Sequence, residues 1–230
     1  MTSTAEPLLD STVKALRERI LSGAYSAGVL PPQGALCDEL GVSRSVIREA
    51  MRQLQSQRLI EVSQGAPARV LPAGPAGMAD SLDLFMRRTE TSLAQLSEVR
   101  LPLEAEIVAL AAERIDDEGL LRLHIAVRRL REGQTLDEQI NADLEFHRVL
   151  AEATGNPIFV FLLDALAVLM RESRQQTIGR VGIGPAVSGH LAILQGVQKR
   201  NVKAARAAMV AHIQDSIRDL EIHTEQEPSS

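Results

Sequence analysis

The sequence predicts a mainly α protein of two domains: an N-terminal unit of three helices and a small β hairpin, then an all-α antiparallel bundle of about seven helices. Three observations carry this. Apolar residues recur at spacings of three and four along most of the chain. Two short β-type runs flank a Gly/Pro turn near residue 65, and the Pro/Gly-dense stretch Pro72-Ala-Gly-Pro-Ala-Gly77 follows them. Aromatic residues are only 2% with no Trp, so the cores must be Leu, Ala, Val and Ile. The expected division is a first domain at 1–72, a linker at 73–77, a second domain at 78–225 and a disordered tail at 226–230.

Composition bounds the function. The 230 residues are enough for two modest cores, and 45% hydrophobic with 24% charged is an ordinary globular mix. No apolar run approaches the roughly 20 residues of a membrane span. No basic segment followed by an apolar one opens the chain. The expected location is therefore the cytoplasm, with no membrane partner. The single cysteine, Cys37, excludes an internal disulfide framework and cysteine-rich zinc sites, and suits a small buried helix residue. The net charge of −5 hides an asymmetry: residues 1–75 hold 8 Lys+Arg against 7 Asp+Glu, the remainder 17 against 23. Such a head can bind duplex DNA if its arginines share one surface.

The first helix spans Pro7 to Ser22, with Leu8, Leu9, Val13, Leu16, Ile20 and Leu21 on a broad stripe and Gly23 as its stop. A turn with Tyr25 and Gly28 leads into an extended stretch ending at Pro31-Pro32. Gln33 to Leu40 makes a two-turn helix with Leu36 and Leu40 inward, closed by Gly41. In the third helix Ser43 is the N-cap. Val46, Ile47, Ala50, Met51 and Leu54 form its apolar face, and Arg44, Ser45, Arg48 and Arg52 line the other side. On pattern alone this is also an ordinary amphipathic surface helix. Yet arginines at a leading end suit the major groove, where a guanidinium meets guanine O6 and N7 with two hydrogen bonds. Leu59, Ile60, Val62 and Val70, Leu71 then bracket Ser63 to Arg69 as a hairpin.

Three helices and a hairpin, with Gly41 in the tight turn between the second and third, are a winged helix-turn-helix. Leu30-Pro31, Leu36, Leu40-Gly-Val-Ser-Arg-Ser-Val-Ile-Arg-Glu-Ala-Met51, Leu54, Leu59-Ile60 and Gly65 resemble the DNA-binding domain of the GntR family of bacterial transcription regulators. The resemblance implies that Arg44 and Arg48 contact bases and phosphates, that Ser45 supports them, and that Gly65 at the wing tip approaches the minor groove. Gln33 and Gly34 stand where many relatives carry an acidic and then a polar residue, which implies an altered operator sequence.

The second domain reads as helices at about 78–88, 92–115, 117–132, 136–154, 157–178, 185–200 and 202–223. Asn156-Pro157 is a cap followed by a first-turn proline. Inside the apolar stripes lie four polar residues. Asp143 and His147 are four apart among Ile140, Leu144, Leu150 and Ala151. His190 stands with Val187, Leu191, Leu194 and Val197, and His212 with Ala208, Met209 and Ile213. One imidazole on an apolar stripe is commonly a hydrogen-bonded core residue. Three, with a carboxylate, are satisfied together by a shared divalent ion: zinc first, with nickel, manganese or iron as alternatives. His124 and His223 fit a helix surface and a solvated tail.

Glu98-Val-Arg100, Leu103-Glu104, Asp143-x-x-Phe146-His147-x-x-Leu150, Gly155-Asn156, His190 and His212 resemble the FCD ligand-binding domain of the FadR subfamily. That resemblance implies a divalent metal on Asp143, His147, His190 and His212, a small organic or sugar acid completing its coordination, and Arg100 pairing the acid's carboxylate. Arg100 alternatively makes an i,i+4 surface pair with Glu104. Gly189 replaces an acidic residue frequent before the histidine. The function expected is a repressor acting as a homodimer on a palindromic operator of double-stranded DNA. Two alternatives are a metal-dependent hydrolase or lyase, which would leave the head unexplained, and a metal-free regulator responding to acyl-coenzyme A.

Overall fold

The computed structural model describes residues 7–25, 28–63, 65–72 and 74–224, and they form two compact units meeting at Gly74 and Pro75. Within the first lie α1 (Leu8–Leu21), α2 (Gln33–Leu40), α3 (Arg44–Ser56), β1 (Ile60–Glu61) and β2 (Arg69–Val70). The second holds α4 (Ala76–Thr89), α5 (Leu93–Arg114), α6 (Asp117–Glu132), α7 (Leu136–Ala153), α8 (Pro157–Val181), α9 (Gly184–Gln198) and α10 (Val202–Thr224). Mainly α, with one small antiparallel hairpin, is the fold class the periodicity implies. Among the described residues no helix is long and apolar enough to cross a membrane.

The head closes over Leu16, Leu30, Leu36, Ile47, Ala50, Leu54 and Ile60, all nearly inaccessible to water. Gly41 ends α2 at φ +66°, a left-handed conformation that costs glycine little, and so turns the chain into α3 within three residues. Ser43 caps α3 by accepting from the Val46 amide. The hairpin pairs Ile60 with Val70 and Glu61 with Arg69. It gains a neighbour that sequence patterning does not reveal: Val29 bridges to Arg69, and the Leu30 amide donates to the Ala68 carbonyl. Two expectations shift at the margins. Leu8 and Leu21 are 58% and 73% exposed, so the buried stripe of α1 is narrower than its apolar residues suggest. Cys37 is half-buried, packed against the edge of this core.

In the second unit α5 lies along α10, α6 along α7, α9 along α10 and α7 along α8. The core runs through Ile107, Val108, Ala111, Leu123, Phe146, Leu150, Ile193, Val197, Met209 and Ile213. Caps fix the starts: Ser92 with Gln95 and Thr135 with Glu138 form capping boxes, and Asn156 accepts from the Ile158 amide ahead of Pro157. Helix α4 begins at Ala76, so Ala76 and Gly77 of the stretch expected as linker are helical, and α8 runs three residues past its expected end. Pro102 lies inside α5, where neighbouring packing carries the helix across the missing N–H. The tail at 226–230, Ala73 of the expected linker and the side chain of His223 lie outside the described residues. His124 is exposed on α6, as expected.

Gly196 lets α9 and α10 touch backbone to backbone: a Cβ there would sit 2.7 Å from the Ala205 Cα. Helix propensity alone favours Ala over Gly by about 1 kcal/mol. Gly196→Ala is nevertheless expected to destabilise the second unit by about 1–3 kcal/mol through overpacking, read as a lower urea midpoint at unchanged slope.

Candidate functional site

Two surfaces carry chemistry, one in each unit. On α3, Arg44, Ser45 and Arg48 are exposed on the side opposite Ile47, Ala50 and Leu54. Ser45 Oγ is 2.8 Å from Ser43 Oγ, which ties it to the cap. Arg44 and Arg48 make no hydrogen bond or ion pair with any described residue, whereas Arg52 is held by Glu49 at 3.0 Å. Two uncommitted guanidinium groups thus project from the leading turns of a helix whose other face is locked into a core. Gly65 is exposed at the hairpin turn with φ +78°, a conformation that resists any side chain there.

The second surface is internal. Asp143 and His147 stand one turn apart on α7, His190 comes from α9 and His212 from α10. All four are buried, and one ligand-type atom from each lies within 4.8 Å of the others. His190 Nε2 is 3.2 Å from His147 Nε2 and 3.3 Å from an Asp143 oxygen. The rings are fixed by packing: Phe146 stacks on His190 at 4.2 Å between centroids and 13° between planes. Leu191, expected in the buried stripe of α9, is 47% exposed, while His190 is fully enclosed.

Three carboxylate and guanidinium partners surround this cluster. His147 Nδ1 faces the Glu104 carboxylate of α5. That contact directs a proton to Nδ1 and leaves the Nε2 lone pair free. Glu104 also binds Arg100, whose Nη2 and Nε lie 2.5 and 2.7 Å from one carboxylate oxygen. Arg174 of α8 donates from Nε to Asp143 at 2.5 Å. Burial raises the carboxyl pKa values of Asp143 and Glu104, but the cations outweigh it: Arg174 ahead of the histidines for Asp143, Arg100 ahead of His147 for Glu104. Both acids are held well below their ordinary range and stay ionised. Burial pushes His190 down to about 3, and His212 well below its usual value. These imidazoles are therefore neutral at physiological pH, the form in which they donate lone pairs.

The donor set fits a divalent ion. Buried His212 Nε2 has no hydrogen-bond partner among the described residues, which is costly unless something else engages it. Ligands at ~2.0–2.2 Å from a tetrahedral ion lie about 3.3–3.6 Å apart, so a set spread over up to 4.8 Å closes on an ion with side-chain shifts of about an ångström. Gly189 has a reason here: a Cβ would come within 2.5 Å of His212 Nδ1. The glycine leaves room for the neighbouring imidazole, and Phe146 stacks on His190 and orients it.

Arg100 is 2% exposed, so its pair with Glu104 is buried instead of lying on the surface. Two participants escaped sequence reasoning. Glu104's link to His147 joins different helices, which periodicity does not register. Arg174 did leave a signal: it occupies a helical-spacing position between Met170 and Ile178 on a buried stripe.

Head and enclosed cluster together define a class: a winged-helix DNA-binding unit and an all-helical unit joined in one chain, the architecture of a bacterial transcription regulator. Residues 8–70 match the family described as bacterial regulatory proteins, gntR family, and residues 95–215 match the FCD domain. The galactonate operon transcriptional repressor of Escherichia coli is 29% identical over 92% of this chain and 96% of its own length. The HTH-type transcriptional repressor NanR of Klebsiella aerogenes is 30% identical over 86% and 79%. Among solved structures, Streptococcus agalactiae GntR is 28% identical, covers 91% of this chain and 99% of its own, and superposes with a TM-score of 0.74. The chain belongs to the GntR family, in its FCD-containing FadR subfamily, and is a transcription regulator, not an enzyme.

Arg174→Met would leave the Asp143 carboxylate buried without its cation. Metal-free protein carrying it is expected to lose about 3–5 kcal/mol, measured by urea denaturation of the second unit. A loss below about 1 kcal/mol would show that the histidines alone satisfy Asp143.

Proposed function

We propose that the chain is a repressor that binds a near-palindromic operator as a homodimer and is controlled by a small organic or sugar acid at a divalent metal. The observation that carries this reading is the convergence of one ionised carboxylate and three imidazoles from α7, α9 and α10 inside an enclosed core. Asp143, His147, His190 and His212 would hold the ion, zinc fitting three nitrogens and an oxygen best. When bound, the ion supplies an electrophilic centre for an effector carboxylate. Arg100, with an unpartnered Nη1, would pair an effector carboxylate by a charge-assisted hydrogen bond.

Arg44 and Arg48 would read bases and phosphates, Ser45 would steady them, and Gly65 would let the wing tip near the minor groove. Two copies would set their α3 helices about 34 Å apart, one turn of the duplex. Exposed apolar residues support self-association: Val99 on α5, and Ile158, Phe161 and Val168 on α8. The names of the Escherichia coli galactonate operon repressor and of the Uxu operon regulator from Haemophilus influenzae support control of an operon. The effector would act by preferring one arrangement of the heads, since equal affinity for two arrangements shifts neither. The site of action would be the cytoplasm. The acyl-coenzyme A alternative is disfavoured by the enclosed polar donor set, which an acyl chain cannot satisfy.

On a duplex selected from random sequence by the wild type, Arg44→Ala plus Arg48→Ala is expected to cost about 2–6 kcal/mol of affinity in a gel-shift titration. Unchanged affinity would sink the DNA-reading assignment. Purified protein supplemented with zinc is expected to retain a stoichiometric ion by mass spectrometry, and Asp143→Ala or His190→Ala to lose it. At a hundredfold excess of ion over its dissociation constant, the wild type should gain about 2.7 kcal/mol of stability, reversed by a chelator. No retained ion in the wild type would remove the metal assignment.

A further inference from the structure

A cavity of about 150 Å³ lies among α5, α7 and α8, lined by Arg100, Glu104, His147 and Arg174 on its polar side and by Leu144 and Met170 on an apolar one. It is smaller than the ~300–1,000 Å³ of pockets that take drug-sized ligands, and equals about five water molecules of space. Arg100 and Arg174 are 2% and 4% exposed, and the Nη1 of each lacks a hydrogen-bond partner among the described residues. Their remaining contacts run to Glu104 and Asp143. Two buried guanidinium donors on one small cavity call for acceptor oxygens.

Charge accounting narrows the ligand. Arg100 and Arg174 are balanced by Glu104 and Asp143, and imidazoles ligate in the neutral form, so a divalent ion leaves the enclosed group with two positive charges in excess. A monocarboxylate would offset only one. The charges at the cavity mouth do not alter this: Arg148 is 3.0 Å from Asp164 and 2.6 Å from Glu152, and Arg122 binds Glu145. All of these are part-exposed and screened by water. Leu144 and Met170 suit methylene groups better than hydroxyls.

We propose that this cavity is a dicarboxylate subsite: the effector class this chain selects is a short dianion, with one carboxylate serving the ion and the other serving Arg100 and Arg174. The inference rests on the metal-and-carboxylate reading above and narrows it to one charge type and size. Long hydroxylated monoacids are selected against, because they leave one cationic charge uncompensated and place hydroxyls against the apolar side.

The test is calorimetric titration of full-length, zinc-loaded protein with succinate, malonate, butyrate and D-galactonate, with zinc content measured in parallel. Succinate or malonate is expected to bind about tenfold or more tightly than butyrate or galactonate, the worth of one charge-assisted hydrogen bond. Ala167 lines the cavity without belonging to the charged group, so Ala167→Met is expected to fill it. That variant should keep its zinc and lose succinate affinity by a similar factor. Butyrate or galactonate binding as tightly as both dicarboxylates overturns the proposal while leaving the metal reading intact. Undiminished succinate affinity in folded, zinc-loaded Ala167→Met also overturns it. A wild type that retains no zinc overturns the underlying reading instead. The comparison of ligands on the wild type decides the matter even if the variant fails to fold.

Discussion

The second unit is organised by the requirement that a buried charge find an opposite one. Arg100, Glu104, Asp143 and Arg174 are all at most 4% exposed, and each would be ruinous alone in a core of Leu, Ala and Ile. They are tolerable only as Arg100–Glu104 and Asp143–Arg174 pairs with three imidazoles between them. Meeting that condition forces α5, α7, α8, α9 and α10 to converge on one point. A bundle that needed only apolar burial could slide its helices past one another by a turn. This one is held in register by ion pairs, much as one polar residue can fix the register of a coiled coil.

The same condition explains why the neutral state of His190 and His212 matters. With both acids ionised and both arginines charged, the group is balanced only if the imidazoles carry no charge. Burial enforces that from the protein side. What results is a set of buried lone pairs held close together. Its neighbours are equally constrained: Glu104 sets which nitrogen of His147 is free, and the absent side chain at 189 sets how near His212 comes.

Much of this was legible in the sequence, for identifiable reasons. Helix ends were marked by chemistry that acts locally: Gly41 in its left-handed turn, Ser43 as a cap, Asn156 before Pro157. Asp143, His147, His190 and His212 could be singled out because polar groups on apolar stripes violate the period that surrounds them. Contacts between elements left weaker traces. The bridge from Val29 to the hairpin depends on where an irregular stretch is laid down, and the Glu104–His147 pairing joins helices 43 positions apart in sequence. Edges of stripes misled, as Leu8, Leu21 and Leu191 show, because a period of 3.6 specifies the centre of a face better than its margins.

Pro102 gives this arrangement one more property. It falls between Arg100 and Glu104 on α5, so the carbonyl one turn before it receives no amide from position 102, and the buried ion pair spans the gap in the backbone ladder. The turns beyond it, from Ile107 to Ala112, lie in the main core, so the one missing backbone bond of α5 falls beside the ion pairs and not within the apolar packing.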